Sequence, residues 1–215
     1  MALRSAFALG LHRAETMALF PAPEQLVRRN LWRSLYVLDR FLSASLGRPT
    51  AIRDSDCSGD ILTSRGDTTG GLGLDAAVNS CHTIGTILEK VYSQRRISGK
   101  LAQDIADHCK GWPQALDPSL HHSQATPENP AQGIAILHVN LFHYHSIMLL
   151  TRPFFLFTLS REEKTRMDTG QKPTRGRSRT DRFGEACVSA SCQSIALIHK
   201  ALKGRYLPRR NPFVM

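Results

Sequence analysis

Three histidines, His138, His143 and His145, crowd one apolar stretch, and imidazole is a common zinc and copper ligand. On one helix, metal ligands stand three or four residues apart. His138 and His145 are seven apart, roughly 10 Å along a helix axis, and His143 and His145 point in nearly opposite directions. A shared ion is geometrically poor, so histidines hydrogen-bonded between helices are the economical reading. The five cysteines, at 57, 81, 109, 187 and 192, include no short-spaced pair and indicate neither a disulfide framework nor a zinc module. Cys187 and Cys192 lie about 140° apart around a helix, which excludes a bond between them and leaves them as core or semi-core thiols. Nucleophile-elbow and phosphate-cradling motifs are missing from the sequence. Gly71, Gly73 and Ala76 fit a dinucleotide fingerprint, but no apolar strand precedes them. The chemistry points away from an enzyme.

Charge gives a second set of candidates. Asp39 and Arg40 sit inside the most apolar helical stretch, where an unpaired charge would cost several kcal/mol, so internal ion pairs are expected there, against the alternative of a solvated helix edge. The net charge of +10 is concentrated. Lys172, Arg175, Arg177, Arg179 and Arg182 against Asp181 give +4, and Lys200, Lys203, Arg205, Arg209 and Arg210 give +5. The remainder is close to neutral, as suits a packed domain with a basic loop and tail rather than a basic nucleic-acid-binding fold. The first cluster could meet a polyanion non-specifically, but it lacks interleaved aromatic residues for stacking, and a solvated, nuclear-import-like segment is the simpler reading.

These residues need helices to hold them. Leu31, Leu35, Leu38 and Leu42 recur on one face of a helix predicted over 24–46, which should be nearly central; Gly47 stops it, followed by Arg48 and Pro49. Further helices are predicted over 2–10, 75–95, 98–112, 131–151 and 183–202. Ser98 is the cap of the fourth, Pro153 ends the fifth, and Val188, Cys192, Ile195, Ile198 and Leu202 mark the buried face of the last. Residues 50–74 and 117–130 have loop composition. With no sustained period-two alternation, the class is all-α, an irregular bundle of about six helices with long loops. The run Ala6–Leu11 is too short for a secretory signal, and Ile147–Leu159 contains Arg152 and Pro153 and falls short of the roughly 20 apolar residues of a membrane span.

The segment LWRSLYVLDRFLSASLGRPTAI, 31–52, resembles the signature helix of the fungal-specific transcription factor regulatory domain, the middle homology region. Three more segments fall in that family's order: ALRSAFALGLHR at 2–13, LHVNLFHYHSIMLLTRPFF at 137–155 and CVSASCQSIALIHK at 187–200. The matching motif positions are Leu31, Trp32, Leu35, Tyr36, Leu38, Asp39, Arg40, Leu46, Gly47, Arg48, Pro49, Ile52, Arg152 and Pro153, all structural in the family. The resemblance implies one regulatory domain over 1–157 and 183–203, part of a larger helical domain, with 158–182 a basic surface loop and 204–215 a basic tail. It also implies a nuclear protein controlling RNA polymerase II transcription, with no catalytic residue and no cofactor in this chain. Zinc and DNA binding would reside in a missing N-terminal cluster of six cysteines. The expected partners are other parts of a full-length factor, co-regulators or a small-molecule effector, and a second copy in a homodimer, with no membrane. Two alternatives stand beside this: a stand-alone helical interaction or small-molecule-binding protein derived from the same domain, and a nucleic-acid binder acting through the basic tail.

Overall fold

The structure, a computed structural model, describes residues 2–58, 61–62, 71–94, 97–122, 128–169, 178–205 and 207. Among these there are seven α-helices and no strand: α1 (Ala2–Ala8), α2 (Ala14–Met17), α3 (Ala22–Leu46), α4 (Leu72–Ile87), α5 (Gly99–Ala115), α6 (Pro130–Thr169) and α7 (Arg179–Lys203). The all-α class is thereby established. The ends of α3 follow local chemistry. Pro21 and Pro23 precondition its first turn, and Gly47 takes the left-handed conformation, φ 63°, that lets the Arg48 N–H reach the Ser43 carbonyl. The Ser98 hydroxyl accepts from the Leu101 N–H at 3.0 Å, the cap its sequence predicts for α5.

The middle of the bundle is α4 and α6 rather than α3. Helix α4 packs against both α3 and α6, and α7 lies along α6. Its Val78, Cys81, Ile84 and Ile87 meet Ile136, Val139 and Leu150 of α6 within one core. That overturns the expectation of a central α3 buried through its leucines. Leu31 and Leu42 are about half exposed, and Leu38 and Leu46 are also exposed. The side actually buried carries Trp32, Arg33, Tyr36, Val37, Arg40 and Ser43. Arg33 and Arg40 lie on this inward side because ion pairs to Asp75, Asp39 and Asp54 neutralise them there.

Pro153 does not end the fifth helix, which runs on to Thr169, so the loop expected over 158–182 is helical in its first part. An internal proline strands the carbonyl four residues back, here Leu149, because it has no N–H to donate. The hydroxyl of Tyr92 donates to that carbonyl at 2.9 Å. Tyr92 is brought there by a π-helical turn, Leu88–Ser93, which continues α4. Helix α6 is long and apolar enough to cross a bilayer, but Leu137, Val139, Phe142, Leu149 and Leu150 are packed in the protein interior.

Helix α7 begins at Arg179, four residues before the predicted start, because Ser178 and Asp181 form a capping box: the Ser178 Oγ accepts from the Asp181 N–H and Asp181 accepts from the Ser178 N–H. Its buried face is also not the predicted one. Val188, Cys192, Ile195 and Leu202 are exposed, and Gly184, Cys187, Ala190, Ser194 and Ala201 are buried instead. The small side lets the backbones of α6 and α7 approach, with Gly184 beside Phe155. Of the basic tail, Gly204, Arg205 and Leu207 are described, and Leu207 packs with Leu137 and Ala201.

Candidate functional site: a buried guanidinium beneath the motif helix

Asp39 and Arg40 converge with Tyr36 and Ile52 on the segment that follows α3. Arg40 is 3 % exposed. One guanidinium nitrogen donates to Asp39 Oδ2 at 3.0 Å and to the Ile52 carbonyl at 2.6 Å; the other donates to Asp54 Oδ1 at 2.7 Å. Asp39 in turn accepts from the backbone N–H groups of Ala51 and Ile52, at 3.0 and 3.1 Å. The turn 48–56 is thereby tied to α3 through charge at both residues, and the solvated-edge alternative falls away. The Tyr36 hydroxyl donates to Asp54 at 2.9 Å while the Arg40 guanidinium lies 4.4 Å from the Tyr36 ring centroid. Burial pushes the Tyr36 phenol well above its ordinary range, so it stays a donor.

Sequence reasoning missed three members of this arrangement. Asp54 is one, and Arg33, which pairs with Asp75 of α4, is another. The third is Gly85 of α4. A Cβ there would lie 2.5 Å from Arg40 Nε and 3.1 Å from its Cδ, so the glycine makes room for the guanidinium stem. The readable signal was the spacing of Arg33, Tyr36 and Arg40 along one helix face, a polar line too regular for a solvated edge. Trp32 and Ile52 are fully buried, Trp32 edge-on to Phe7 at 5.3 Å, and Leu35 is half-buried. Leu31, Leu38, Leu46, Gly47, Arg48 and Pro49 are exposed. Arg152 is exposed, and neither it nor Arg48 makes an ion pair among the described residues; Asp39, by contrast, is paired with Arg40. Lys172, Arg175 and Arg177 lie outside the described residues; Arg179 and Arg182 stand exposed on the first turn of α7.

The histidines of α6 face three different neighbours. His143 stacks on Trp112 with centroids 4.0 Å apart, His145 tilts against Phe41 at 6.4 Å, and His138 lies 6.3 Å from Phe142. Burial pushes His143 down to about 4 and lowers His145 too. Among the described residues no three metal-ligating side chains come together. Among the described residues, α6 is flanked by cavities on two sides. One, of about 760 Å³, opens between α3, α4 and α6 and is lined by Val37, Leu38, Ala77, Leu120, Val139 and Phe142 among others. The other, of about 520 Å³, lies between α5, α6 and the start of α7, over Ala106, Ile147, Leu150 and Phe183.

With the signature helix and its ionic anchor in place, comparison with known proteins is decisive for family. The description "Fungal specific transcription factor domain" matches residues 1–61, which hold α1 to α3 and the Arg40 network. Residues 1–61 are a fungal specific transcription factor domain. Over 174 residues, 73 % of the chain and 22 % of the relative, the protein is 31 % identical to filamentous growth regulator 27 of Candida albicans. It is 25 % identical over 213 residues, 93 % of the chain and 25 % of the relative, to an uncharacterized transcriptional regulatory protein of Schizosaccharomyces pombe. A 54-residue stretch is 43 % identical to the transcription factor FBD3 of Fusarium pseudograminearum. The chain therefore spans about a quarter or less of the length of these relatives. No solved structure matches it. The matched family and the relatives from Schizosaccharomyces pombe and Fusarium pseudograminearum are named for transcription, and none of them for an enzyme activity.

Proposed function

We propose that the chain is the regulatory domain of a longer fungal transcription factor, acting in the nucleus on RNA polymerase II transcription while a zinc-bearing segment elsewhere in that protein reads DNA. One observation carries this: an alignment covering 93 % of the chain occupies 25 % of a transcriptional regulatory protein, the share a domain takes within a larger factor. The structure supports a relay role for α3. Its buried side is pinned to α4 and to the turn 48–56 by Arg33 and Arg40, while Val27, Leu31, Leu38, Leu42 and Leu46 form an apolar stripe on the exposed side. An exposed stripe of this length marks a surface that meets other protein. On this reading it contacts the remainder of the factor or a co-regulator, and a shift of α3 on its ionic anchor is what passes the signal.

A tethering assay tests the proposal. The chain is inserted between a heterologous DNA-binding domain and an activation segment, and reporter output in a fungal host is compared with the fusion lacking it. The expected result is a several-fold change in output that Leu31→Ser with Leu42→Ser removes without lowering protein level. Identical output with and without the chain, across growth conditions, would refute the regulatory role.

A further inference from the structure

The cavity between α5, α6 and α7 has two chemically distinct halves. Its floor is apolar, formed by Ala106, Ile147, Leu150 and Phe183. Its rim carries Lys110, Arg179 and Arg182, and no acidic residue lines it. Lys110 is engaged by Asp107 at 2.8 Å, whereas neither arginine makes an ion pair among the described residues. Asp181, the acid nearest them in sequence, is bound by Arg161 at 2.9 Å and by the Ser178 N–H at 2.8 Å. Both arginines sit on the first turn of a 25-residue helix, at the positive end of its dipole. Between floor and rim stands His143. It is 6 % exposed, is held flat by Trp112, and its ring makes no hydrogen bond among the described residues. Its low pKa keeps it neutral, with one nitrogen a donor and the other an acceptor. Neither ring nitrogen is fully sealed in the core, so a molecule in the cavity can reach them.

We propose that this cavity binds a small amphipathic organic anion, with its apolar body on the floor, its carboxylate between Arg179 and Arg182, and a polar substituent or an ordered water meeting His143. A volume of about 520 Å³ falls within the ordinary range for small-molecule sites, which join mostly apolar linings to a few placed polar groups. A free cation would be repelled at the rim. A neutral ligand of the same shape would gain the floor but not the charge-assisted bonds. The site touches α5, α6 and α7 and shares no lining residue with the Arg40 network. As the port by which a metabolite reaches the regulatory domain it rests on the function proposed above; as a binding site it rests on geometry alone.

The test uses the purified chain and three probes of one shape, 2-naphthylacetate, 2-naphthylacetamide and 2-naphthylethylammonium, titrated calorimetrically at low salt. The acid should bind one per chain and about tenfold more tightly than the amide, the ratio expected when a carboxylate gains a charge-assisted bond, with the ammonium weakest. The chain has two tryptophans, so the indole N–H signals separate cleanly: that of Trp112 should shift on binding and that of Trp32 should not. Arg179→Gln with Arg182→Gln, both on exposed side chains, should abolish the preference for the acid and leave amide binding unchanged. Ala106→Phe should block both ligands by filling the floor. Equal affinity of acid and amide, an acid preference that survives the double glutamine variant, or no saturable binding would overturn the site, and none of these results bears on the tethering assay.

Discussion

Gly85→Ala should destabilise the native chain yet stabilise one in which Arg40 is already alanine. In the native protein the new Cβ would stand 2.5 Å from Arg40 Nε and 3.1 Å from Cδ. These are stem atoms of a side chain whose head is fixed by Asp39, Asp54 and the Ile52 carbonyl, so relief requires lengthening hydrogen bonds of 2.6 to 3.0 Å. Weakening one or two bonds to a charged group costs about 2 kcal/mol, and alanine in mid-helix returns up to about 1 kcal/mol relative to glycine, leaving a net loss of about 1 kcal/mol. Arg40→Ala alone should cost about 2 to 4 kcal/mol. The figure is below that for a wholly buried pair because Asp54 is 43 % exposed and can be rehydrated. Without the guanidinium the Gly85→Ala gain of up to about 1 kcal/mol stands unopposed, so the two changes should couple by about 2 kcal/mol. Urea melts of the four proteins, followed by helical circular dichroism, measure this directly. The same Gly85→Ala effect in both backgrounds would show that Arg40 and α4 do not share the space described.

The two sides of α3 should respond oppositely to truncation: Trp32→Ala should cost about 3 to 5 kcal/mol in the urea midpoint, while Leu31→Ser with Leu42→Ser should cost little and should reduce self-association in analytical ultracentrifugation. Tyr92→Phe should cost about 1 to 2 kcal/mol by stranding the Leu149 carbonyl, and the loss should shrink with Pro153→Ala, whose N–H can take over that carbonyl. His143 is lowered from 6.5 to about 4, so the unfolded chain takes up its proton first. The stability it lends is complete above about pH 6.5 and is lost as pH falls toward about 4. Stability measured between those limits should decline less steeply for His143→Phe, which keeps the stack on Trp112; parallel slopes would place the titrating group elsewhere, with His145 the next to examine.

Much of this was readable because helix ends have local causes. Gly47 and Ser98 announce themselves as caps, and Ser178 with Asp181 forms a capping box of the same legible kind. Faces are a tertiary matter, and here apolar periodicity misled twice. On α3 and α7 the larger aliphatic side chains, Leu31 and Leu42, Val188 and Ile195, look outward, since the inward side is decided by a partner's shape and charge. Arg33 is inside because Asp75 meets it, and Gly184 and Ala190 are inside because α6 comes close. Pro153 misled for a related reason: a proline breaks a helix when its orphaned carbonyl finds no donor, and Tyr92 is 57 residues from Leu149 in sequence. Asp39 and Arg40 were the charges singled out for internal pairing, and they are paired, but the partner Asp54 lies in a stretch with loop composition and no periodicity to mark it.

The Tyr92 bond gives Pro153 a consequence of its own. An uninterrupted helix offers its neighbours a nearly uniform surface, along which a packed partner can slip by a turn and find similar contacts. One missing N–H on α6 breaks that uniformity at a single carbonyl, and one hydroxyl on the continuation of α4 fits it. The pair therefore acts as an index mark that sets how far α4 reaches along α6. Residues added or removed between Leu72 and Tyr92 would carry the hydroxyl round the helix by about 100° each and lose the mark. Length variation within this stretch should be far less tolerated than in the connection that precedes α4.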